Sequence, residues 1–272
     1  MLKQRIITAL ILMPLAIWSI LSASSQSFTY GLAVVLFIAS LEWNSFVAYR
    51  NKAWGYVFSI AVTASFLMLE YLANIEFIKY VVYLSLVWWL LSLPLLFDFP
   101  FPTSHALHQK PVKIIIGFIL LLSTFLAFSF LRNSYGTDYV MYFLWVIWFA
   151  DSGAYFAGRA WGKHKLIPKV SPGKSWEGII GGMVATFVVA YFALDVLQIS
   201  SNDTYVFISI TMVTFIYSVI GDLSESMFKR MANVKDSGKI LPGHGGILDR
   251  IDSLTSGLPV FLAGLWLMES MS

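Results

Sequence analysis

The stretch Ile6–Leu41, IITALILMPLAIWSILSASSQSFTYGLAVVLFIASL, contains 36 residues without one charged side chain. One helical crossing of a bilayer needs about 20 apolar residues, so the stretch is too long for a single crossing. The small and polar residues of Ser22–Ser27 divide it into two apolar segments. The sequence therefore predicts two membrane-spanning helices that begin within this stretch, the second of which contains Glu42, the first acidic residue of the chain.

The composition of the whole chain supports the same class. Of its 272 residues 58% are hydrophobic and only 12% are charged, with a mean hydropathy of +0.75. Soluble domains carry about 25% charged residues, so we predict an all-α, polytopic integral membrane protein. It has no cysteine, which excludes disulfides and thiolate chemistry. Nine spans are predicted, at about 6–22, 28–49, 54–73, 78–97, 113–131, 139–158, 178–198, 204–222 and 254–270.

The basic residues predict the orientation of these spans. With the N-terminus in the cytoplasm, sixteen Lys and Arg residues fall in inside segments. Only Lys79 and Arg132 fall outside. Because positive residues favour the cytoplasmic side, we expect the N-terminus inside and the C-terminus outside. The first span also resembles a cleavable signal peptide, and its removal would leave the other spans oriented as before.

Two acidic residues lie where a bilayer makes charge costly. Asp151 falls within the sixth span, and Asp222 falls at the cytoplasmic end of the eighth. Small residues flank both and permit close approach of a ligand or of backbone. An ionisable group in a spanning segment is a functional hypothesis by default. The same hypothesis applies to Glu42, Glu70 and Asp195, but these three lie near predicted span ends, so we favour the interpretation that they reach headgroups or solvent.

The longest inside loops, about 159–177 and 223–253, hold ten of the eighteen Lys and Arg residues. In the first loop, Ser171–Ser175 is predicted to form a tight turn that leads into the seventh helix. Lys174 and Ser175 would then lie at a helix N-terminus, where free N–H groups suit an anion such as phosphate. The alternative is a helix cap at Ser175 with Lys174 as a positive-inside anchor.

The second loop contains KDSGKILPGHGGILDRID, Lys235–Asp252. Its glycines and proline predict a loop, after the eighth helix has continued into the cytoplasm. The pair Gly245 and Gly246 would let backbone N–H groups converge on an anion. Asp249 and Asp252 are three residues apart, so they share a face where the ninth helix begins.

Carboxylates beside Lys and Arg, without Cys or paired His, favour a hard cation such as Mg²⁺ bound through oxygen. Mg²⁺ takes one or two carboxylates and completes its shell with waters and substrate phosphates. This combination is typical of phosphoryl or nucleotidyl transfer, in which positioning and charge stabilisation dominate. No Ser-His-Asp arrangement stands out, and His244 alone is a weak candidate for a general base.

The segment Ser226–Asp252, SMFKRMANVKDSGKILPGHGGILDRID, resembles the signature of the phosphatidate cytidylyltransferase (CDP-diacylglycerol synthase) family. That signature runs Ser-x-apolar-Lys-Arg, four residues, Lys-Asp-x-small, two residues, apolar-Pro/Gly-x-His-Gly-Gly-apolar-x-Asp-Arg-apolar-Asp, without departure here. The resemblance extends to ADSGAY, GKHKL, SPGKSWEG and the MLKQRIITA start. The first 140 residues otherwise resemble the family only in their pattern of spans.

The resemblance implies that CTP and phosphatidic acid react to give CDP-diacylglycerol and pyrophosphate. It also implies Mg²⁺, a possible K⁺ ion beside it, a homodimer, contact with membrane lipids and a bacterial inner-membrane location with the site facing the cytoplasm. No nucleic-acid partner is expected. Asp222 and Asp249 would be the metal ligands. The implied catalytic residues are Asp222, Asp249, Lys235, Asp236, His244 and Arg250, and the implied substrate-binding residues are Asp151, Lys174, Ser175, Lys229, Arg230, Gly245, Gly246 and Asp252.

Within that implied site, we assign Lys235 and Arg250 to the triphosphate, and His244 with Gly245 and Gly246 to phosphate contacts. The chain is treated as one membrane domain, residues 1–272. Helices of residues 1–140 would form a scaffold that could carry dimer contacts, and residues 141–272 would carry the catalytic helices and loops.

Two alternatives remain at this point. A CTP-using lipid kinase would share a basic cytoplasmic site and Mg²⁺, but it would release CDP rather than pyrophosphate. A transporter for an anionic solute would bind near the membrane midplane between repeats. The polar residues here gather at one face and no repeat is visible, which disfavours the transporter.

Overall fold

The structure is a computed structural model that describes residues 2–241, 243 and 245–271, with side chains at residue 10 and from residue 13 onward. Its helices are α1 (Leu2–Ser22), α2 (Ser25–Val47), α3 (Lys52–Leu72), α4 (Ile75–Asp98), α5 (Lys110–Phe130), α6 (Thr137–Trp161), α7 (Trp176–Val196), α8 (Thr204–Met231) and α9 (Leu248–Met271). A 3₁₀ turn, Ala106–His108, precedes α5, and a π-helical stretch, Leu131–Tyr135, follows it. A hairpin of β1 (Lys165–Ile167) and β2 (Ser171–Ser175) joins α6 to α7.

The all-α membrane fold is confirmed. Eight of the described helices, α2–α9, are long and apolar enough to cross a bilayer. In α1 the described apolar part, Met13–Ser22, is shorter than a crossing. The first predicted span, 6–22, therefore depends partly on side chains outside the described set.

Polar caps place several helix starts. The Ser24 hydroxyl accepts a hydrogen bond from the Ser27 N–H, which starts α2 three residues before the predicted span. The Asn51 and Asn74 side chains accept from Ala53 N and Phe77 N at 2.9 Å and start α3 and α4. Each cap satisfies an N–H group that the helix leaves free. Short polar links between apolar runs thus become defined turns.

The helices α5 and α9 lie at the centre of the molecule, since two thirds of their apolar windows are buried. The helices α3, α4 and α7 present most of their apolar side chains outward, as helices in contact with lipid do. An aromatic group joins α2 to α8: the rings of Trp43 and Phe228 lie 5.1 Å apart, and Phe46 stacks on Phe228. This contact fixes the C-terminal end of α2 against the C-terminal end of α8.

Small residues bring neighbouring helices into close contact. A side chain at Gly153 would meet the Gly181 carbonyl oxygen at 2.6 Å, so α6 and α7 touch through their backbones. A side chain at Gly221 would meet the Asp252 carbonyl oxygen at 2.7 Å, so α8 and α9 do the same. The small residues beside Asp151 and Asp222 therefore serve helix packing in this structure.

The segment Ser171–Ser175 is a strand, and the prediction of a tight turn there is wrong. It pairs antiparallel with β1, with Lys165 opposite Ser175 and Ile167 opposite Ser171. The turn lies between the two strands instead. An extended β2 holds Lys174 beside the end of α8.

Candidate active site

Three charged side chains follow one another along α8. Asp222, Glu225 and Lys229 are spaced by three and four residues, so they lie on one helical face. This face exists because α8 continues to Met231, past the predicted end of its span, as the sequence indicates. Ser226 donates its hydroxyl to Asp222 Oδ1 at 3.4 Å. The face looks toward the start of α9 and toward β2.

The first ion pair joins β2 to α8. Lys174 Nζ lies 2.5 Å from Asp222 Oδ2, and the two side chains are 23% and 29% exposed. The neighbouring Ser175 is buried and caps α7 by accepting from the Gly178 N–H at 3.2 Å. Ser175 therefore caps α7, as the alternative interpretation predicts, and Lys174 presents a partly exposed ammonium group.

The second ion-paired group is deeper. Lys229 lies between Glu225 and Asp249, with its Nζ 2.8 Å from Asp249 Oδ1 and in direct contact with a Glu225 oxygen. Both carboxylates are only 5% exposed and the lysine is 13% exposed. Burial makes such a pair costly to break, because the remaining charge would have no partner.

Asp249 also holds the loop that precedes α9. Its Oδ2 accepts hydrogen bonds from the Ser237 N–H at 2.9 Å and from the Gly246 N–H at 2.8 Å. Gly245 has φ +82°, and a side chain there would lie 2.6 Å from Asp249 Oδ2. In this structure the N–H groups of Ser237 and Gly246 therefore converge on a carboxylate of the chain itself, that of Asp249. Phosphate contact by Gly245 and Gly246 stays a prediction.

Further charges surround the Lys174–Asp222 pair. Asp151 interacts electrostatically with Lys174, Asp222 and Arg250. Asp252 interacts with Asp222, Lys174 and Lys229, and its Oδ1 accepts from the Ser253 N–H at 2.7 Å. The structure thus brings together residues from α6, β2, α8 and α9. We call this group the charged cluster; it comprises Asp151, Lys174, Asp222, Glu225, Lys229, Asp249, Arg250 and Asp252.

Three predicted site residues lie at the edge of the cluster, and a fourth lies outside the residues that the structure describes. Lys235 and Asp236 are exposed in the loop after α8. Arg230 donates its Nε–H to the Val170 carbonyl at 3.3 Å and so ties α8 to the hairpin. His244 lies outside the described residues, and its predicted phosphate contact stays a prediction.

The sequence analysis missed two carboxylates that the structure places at the site. Glu225 had a local signal, since it follows Asp222 by three residues and precedes Lys229 by four. Glu42 had none, and the interpretation that it reaches headgroups or solvent is wrong. It is 5% exposed and accepts from the Leu248 N–H at 2.7 Å, 206 residues away in sequence.

The donor set of the cluster suits a hard cation. The cluster contains five carboxylates and three cationic side chains. With every group ionised, two negative charges remain. Asp151 and Arg250 are exposed to solvent, whereas the side chains of Glu225 and Asp249 are buried, and a divalent cation beside them would offset the excess charge. Among the described residues no three His, Cys, Asp or Glu side chains form a metal-binding group. Mg²⁺ needs only one or two carboxylates, because waters and phosphates complete its shell.

We expect Lys229→Met to destabilise the protein by about 3–5 kcal/mol, since it leaves Glu225 and Asp249 buried without a cation. The control is Lys79→Met, which removes a comparable near-neighbour pair with the exposed Glu76 and should cost at most about 1 kcal/mol. Thermal unfolding in detergent measures both variants. Equal shifts for the two would show that the Lys229 pairs contribute no more than a surface ion pair.

Comparison with known proteins matches residues 3–268 to a family described as the cytidylyltransferase family. The phosphatidate cytidylyltransferase of Pseudomonas aeruginosa is 36% identical over 268 residues, which is 98% of this chain and 97% of that protein. That of Haemophilus influenzae is 34% identical over 284 residues, 96% and 97% of the two chains. That of Staphylococcus haemolyticus is 43% identical over 145 residues, 53% and 52% of the two chains.

Proposed function

The chain belongs to the cytidylyltransferase family, and from that premise we propose that the charged cluster is where it transfers CMP from CTP to phosphatidate. The enzyme makes CDP-diacylglycerol for phospholipid biosynthesis, as the near full-length relatives do by name. A phosphate oxygen of the lipid bonds to the α-phosphorus of CTP. The bond from that phosphorus to the bridging oxygen breaks, and pyrophosphate leaves. The observation that carries the proposal is the convergence of Lys174 from β2, Asp222 and Lys229 from the C-terminal half of α8, and Asp249 from the start of α9.

The cationic side chains would bind the phosphates. Lys174 is partly exposed, so a phosphate oxygen can reach its ammonium group beside Asp222. Arg250 lies close enough to Asp151 to interact with it, and Lys235 is exposed in the neighbouring loop. We propose that these three residues hold the triphosphate. Lys229 is enclosed by two carboxylates and mainly keeps α8 and α9 in register.

We propose Mg²⁺ as the cofactor, with Asp222 and Asp249 as the protein ligands. The uncompensated carboxylates of the cluster support a divalent cation here, and a bound Mg²⁺ would neutralise phosphate charge. Asp222 has one oxygen paired with Lys174 and accepts only a long bond from Ser226 on the other. Asp249 has both oxygens engaged by Lys229, Ser237 and Gly246, so ligation by Asp249 requires a donor to move. A K⁺ ion beside the Mg²⁺ stays a prediction from the resemblance.

We propose that the site faces the cytoplasm of a bacterial inner membrane. The lipid substrate keeps its acyl chains in the bilayer while CTP and Mg²⁺ are water-soluble, so the membrane edge is where they can meet. The cluster lies at one end of α6, α8 and α9, beside the loops that hold most basic residues. The excess of Lys and Arg on that side supports a cytoplasmic orientation. A homodimer is proposed from the resemblance alone.

The function is tested with purified protein, CTP, phosphatidate in mixed micelles and Mg²⁺. We expect one pyrophosphate for each CDP-diacylglycerol formed, and no product when either substrate is omitted. Release of CDP with a newly phosphorylated lipid would identify a lipid kinase instead. Uptake of an anionic solute into vesicles without chemical conversion would identify a transporter.

We expect Asp222→Asn to lower kcat by about a hundredfold or more, because it removes a charge that the cation and Lys174 share. The matched control is Asp98→Asn, an exposed aspartate at the end of α4, which should keep normal turnover. Both variants are assayed for pyrophosphate release over a range of Mg²⁺ concentrations. Near-normal kcat in Asp222→Asn would rule out its assignment as a metal ligand.

The absence of cysteine makes the orientation testable with single substitutions. Asn202→Cys lies in the exposed link between α7 and α8, and Lys169→Cys lies in the exposed hairpin turn. In spheroplasts, a membrane-impermeant maleimide should label Asn202→Cys at once and Lys169→Cys only after permeabilisation. The reverse pattern would place the charged cluster on the outer face and contradict the proposal.

A further inference from the structure

Glu42 is a buried carboxylate in the half of the chain where no site residue was predicted. It lies near the C-terminal end of α2, and its side chain faces the loop between α8 and α9. Its Oε2 accepts from the Leu248 N–H at 2.7 Å and from the Ser237 hydroxyl at 3.4 Å. A carboxylate that deep is costly unless it has partners. The partners of Oε2 lie in the loop and at the first residue of α9, and Oε1 has no hydrogen-bond partner among the described residues.

The glycines of the loop fit around this carboxylate. A side chain at Gly238 would overlap Glu42 Oε1, and one at Gly246 would overlap Glu42 Oε2. Both are glycines with a packing reason, since the carboxylate occupies the space that a Cβ would need. Glu42 therefore explains two of the glycines that make this loop unusual in sequence.

The loop is held between two carboxylates. Ser237 donates its N–H to Asp249 and its hydroxyl to Glu42. Gly246 donates its N–H to Asp249 while its Cα packs against Glu42. Leu248, bound by Glu42, is the residue before Asp249. Any shift of the loop relative to Glu42 would therefore move the donors of Asp249 as well.

The end of α2 that carries Glu42 is itself fixed. Trp43 packs on Phe228, the residue before Lys229, and donates its indole N–H to the Lys113 carbonyl at 3.0 Å. Ser45 donates to the Ser237 carbonyl at 3.3 Å. Glu42 is thus a rigid support for the loop.

We propose that Glu42 is a positioning residue for cytidylyl transfer: it fixes the backbone at Ser237, Gly246 and Leu248 so that Asp249 and Lys229 keep their places in the charged cluster. The proposal rests on the function proposed for that cluster. Glu42 acts through the loop and contacts no substrate. It also gives the N-terminal helices a direct part in the site.

The first experiment compares Glu42→Ala, Glu42→Gln and the control Glu70→Ala. Glu70 is also a carboxylate of the N-terminal helices with hydrogen-bond partners, Ser129 at 2.5 Å and Asn133 at 3.1 Å. It also accepts from Thr29, a position about 20 Å along α2 from Glu42 at the helical rise of about 1.5 Å per residue. A general loss of helix packing would affect the Glu70 and Glu42 variants alike.

We expect Glu42→Ala to lower kcat by about tenfold or more, with a smaller effect on the KM for CTP, because misplaced groups cost turnover more than binding. Hydrogen exchange of the Ser237–Leu248 amides should become faster in the same variant. Glu42→Gln keeps an acceptor oxygen and should recover most of the protection and part of the rate. Glu70→Ala should leave kcat and the loop amides within about twofold of wild type, since it has no contact with the loop.

A second experiment uses the space around Glu42. Gly238→Ala should lower kcat by about fivefold or more in the wild-type background, where the added methyl meets Glu42, and by less than about twofold in Glu42→Ala, where the space is open. The control is Gly31→Ala, on the same helix as Glu42, where no atom lies within 4 Å of the added carbon. This substitution should leave kcat unchanged. Hydrogen exchange of the loop amides in the wild type, the two single variants and the Glu42→Ala/Gly238→Ala double variant should show the same non-additivity.

Three results would overturn the proposal. They are turnover of Glu42→Ala within twofold of wild type, unchanged exchange of the loop amides in that variant, and strict additivity of Glu42→Ala with Gly238→Ala. If Glu42→Ala does not fold, Gly238→Ala decides by the same readouts, because its added methyl group meets the Glu42 carboxylate. The exchange data do not depend on turnover, so a wild-type protein without cytidylyltransferase activity would refute the proposed function and still show whether Glu42 holds the loop.

Discussion

The buried contact between Lys229 and Asp249 is the interaction on which the site depends. It joins the C-terminal end of α8 to the first turn of α9, and Asp249 at the same time accepts from two backbone N–H groups of the loop between them. Charges so poorly exposed persist only when each has partners. The loop, the two helix ends and the lysine are therefore mutually required, and the other charged groups are arranged around them.

The same requirement explains the composition of the loop. In a soluble protein, a glycine-rich turn beside a phosphate site is expected to offer its backbone to the ligand. Here the space above Gly238 and Gly246 is taken by Glu42, and the space above Gly245 by Asp249. The glycines let the chain pass between two carboxylates of its own. Substrate phosphates would then contact side chains, chiefly those of lysine and arginine, rather than the backbone of this loop.

The arrangement also suits a reaction between a lipid and a nucleotide. The acyl chains of the proposed lipid acceptor are hydrophobic and stay in the bilayer, and α8, the hairpin and the loop carry polar groups beside the apolar helices. Phosphoryl chemistry asks a protein mainly for charge and position. A few helix ends held by small-residue packing, as at Gly153 with Gly181 and at Gly221 with α9, can supply both without a soluble nucleotide-binding domain.

The sequence alone determined the membrane class, the spans α2–α9 within a few residues, and the charged site residues of α8 and α9 other than Glu225, because hydropathy, helical spacing and a gapped motif are local in the chain. It also indicated that α8 continues beyond its span, since residues 223–233 can extend the helix amphipathically. Only the tertiary structure decided that Lys174 pairs with Asp222 from a strand, and that Glu42 belongs to the site. Those contacts join residues separated by 48 and 206 positions. Nothing within either segment specifies its partner, because the partner is set by how helices with similar apolar faces pack against one another.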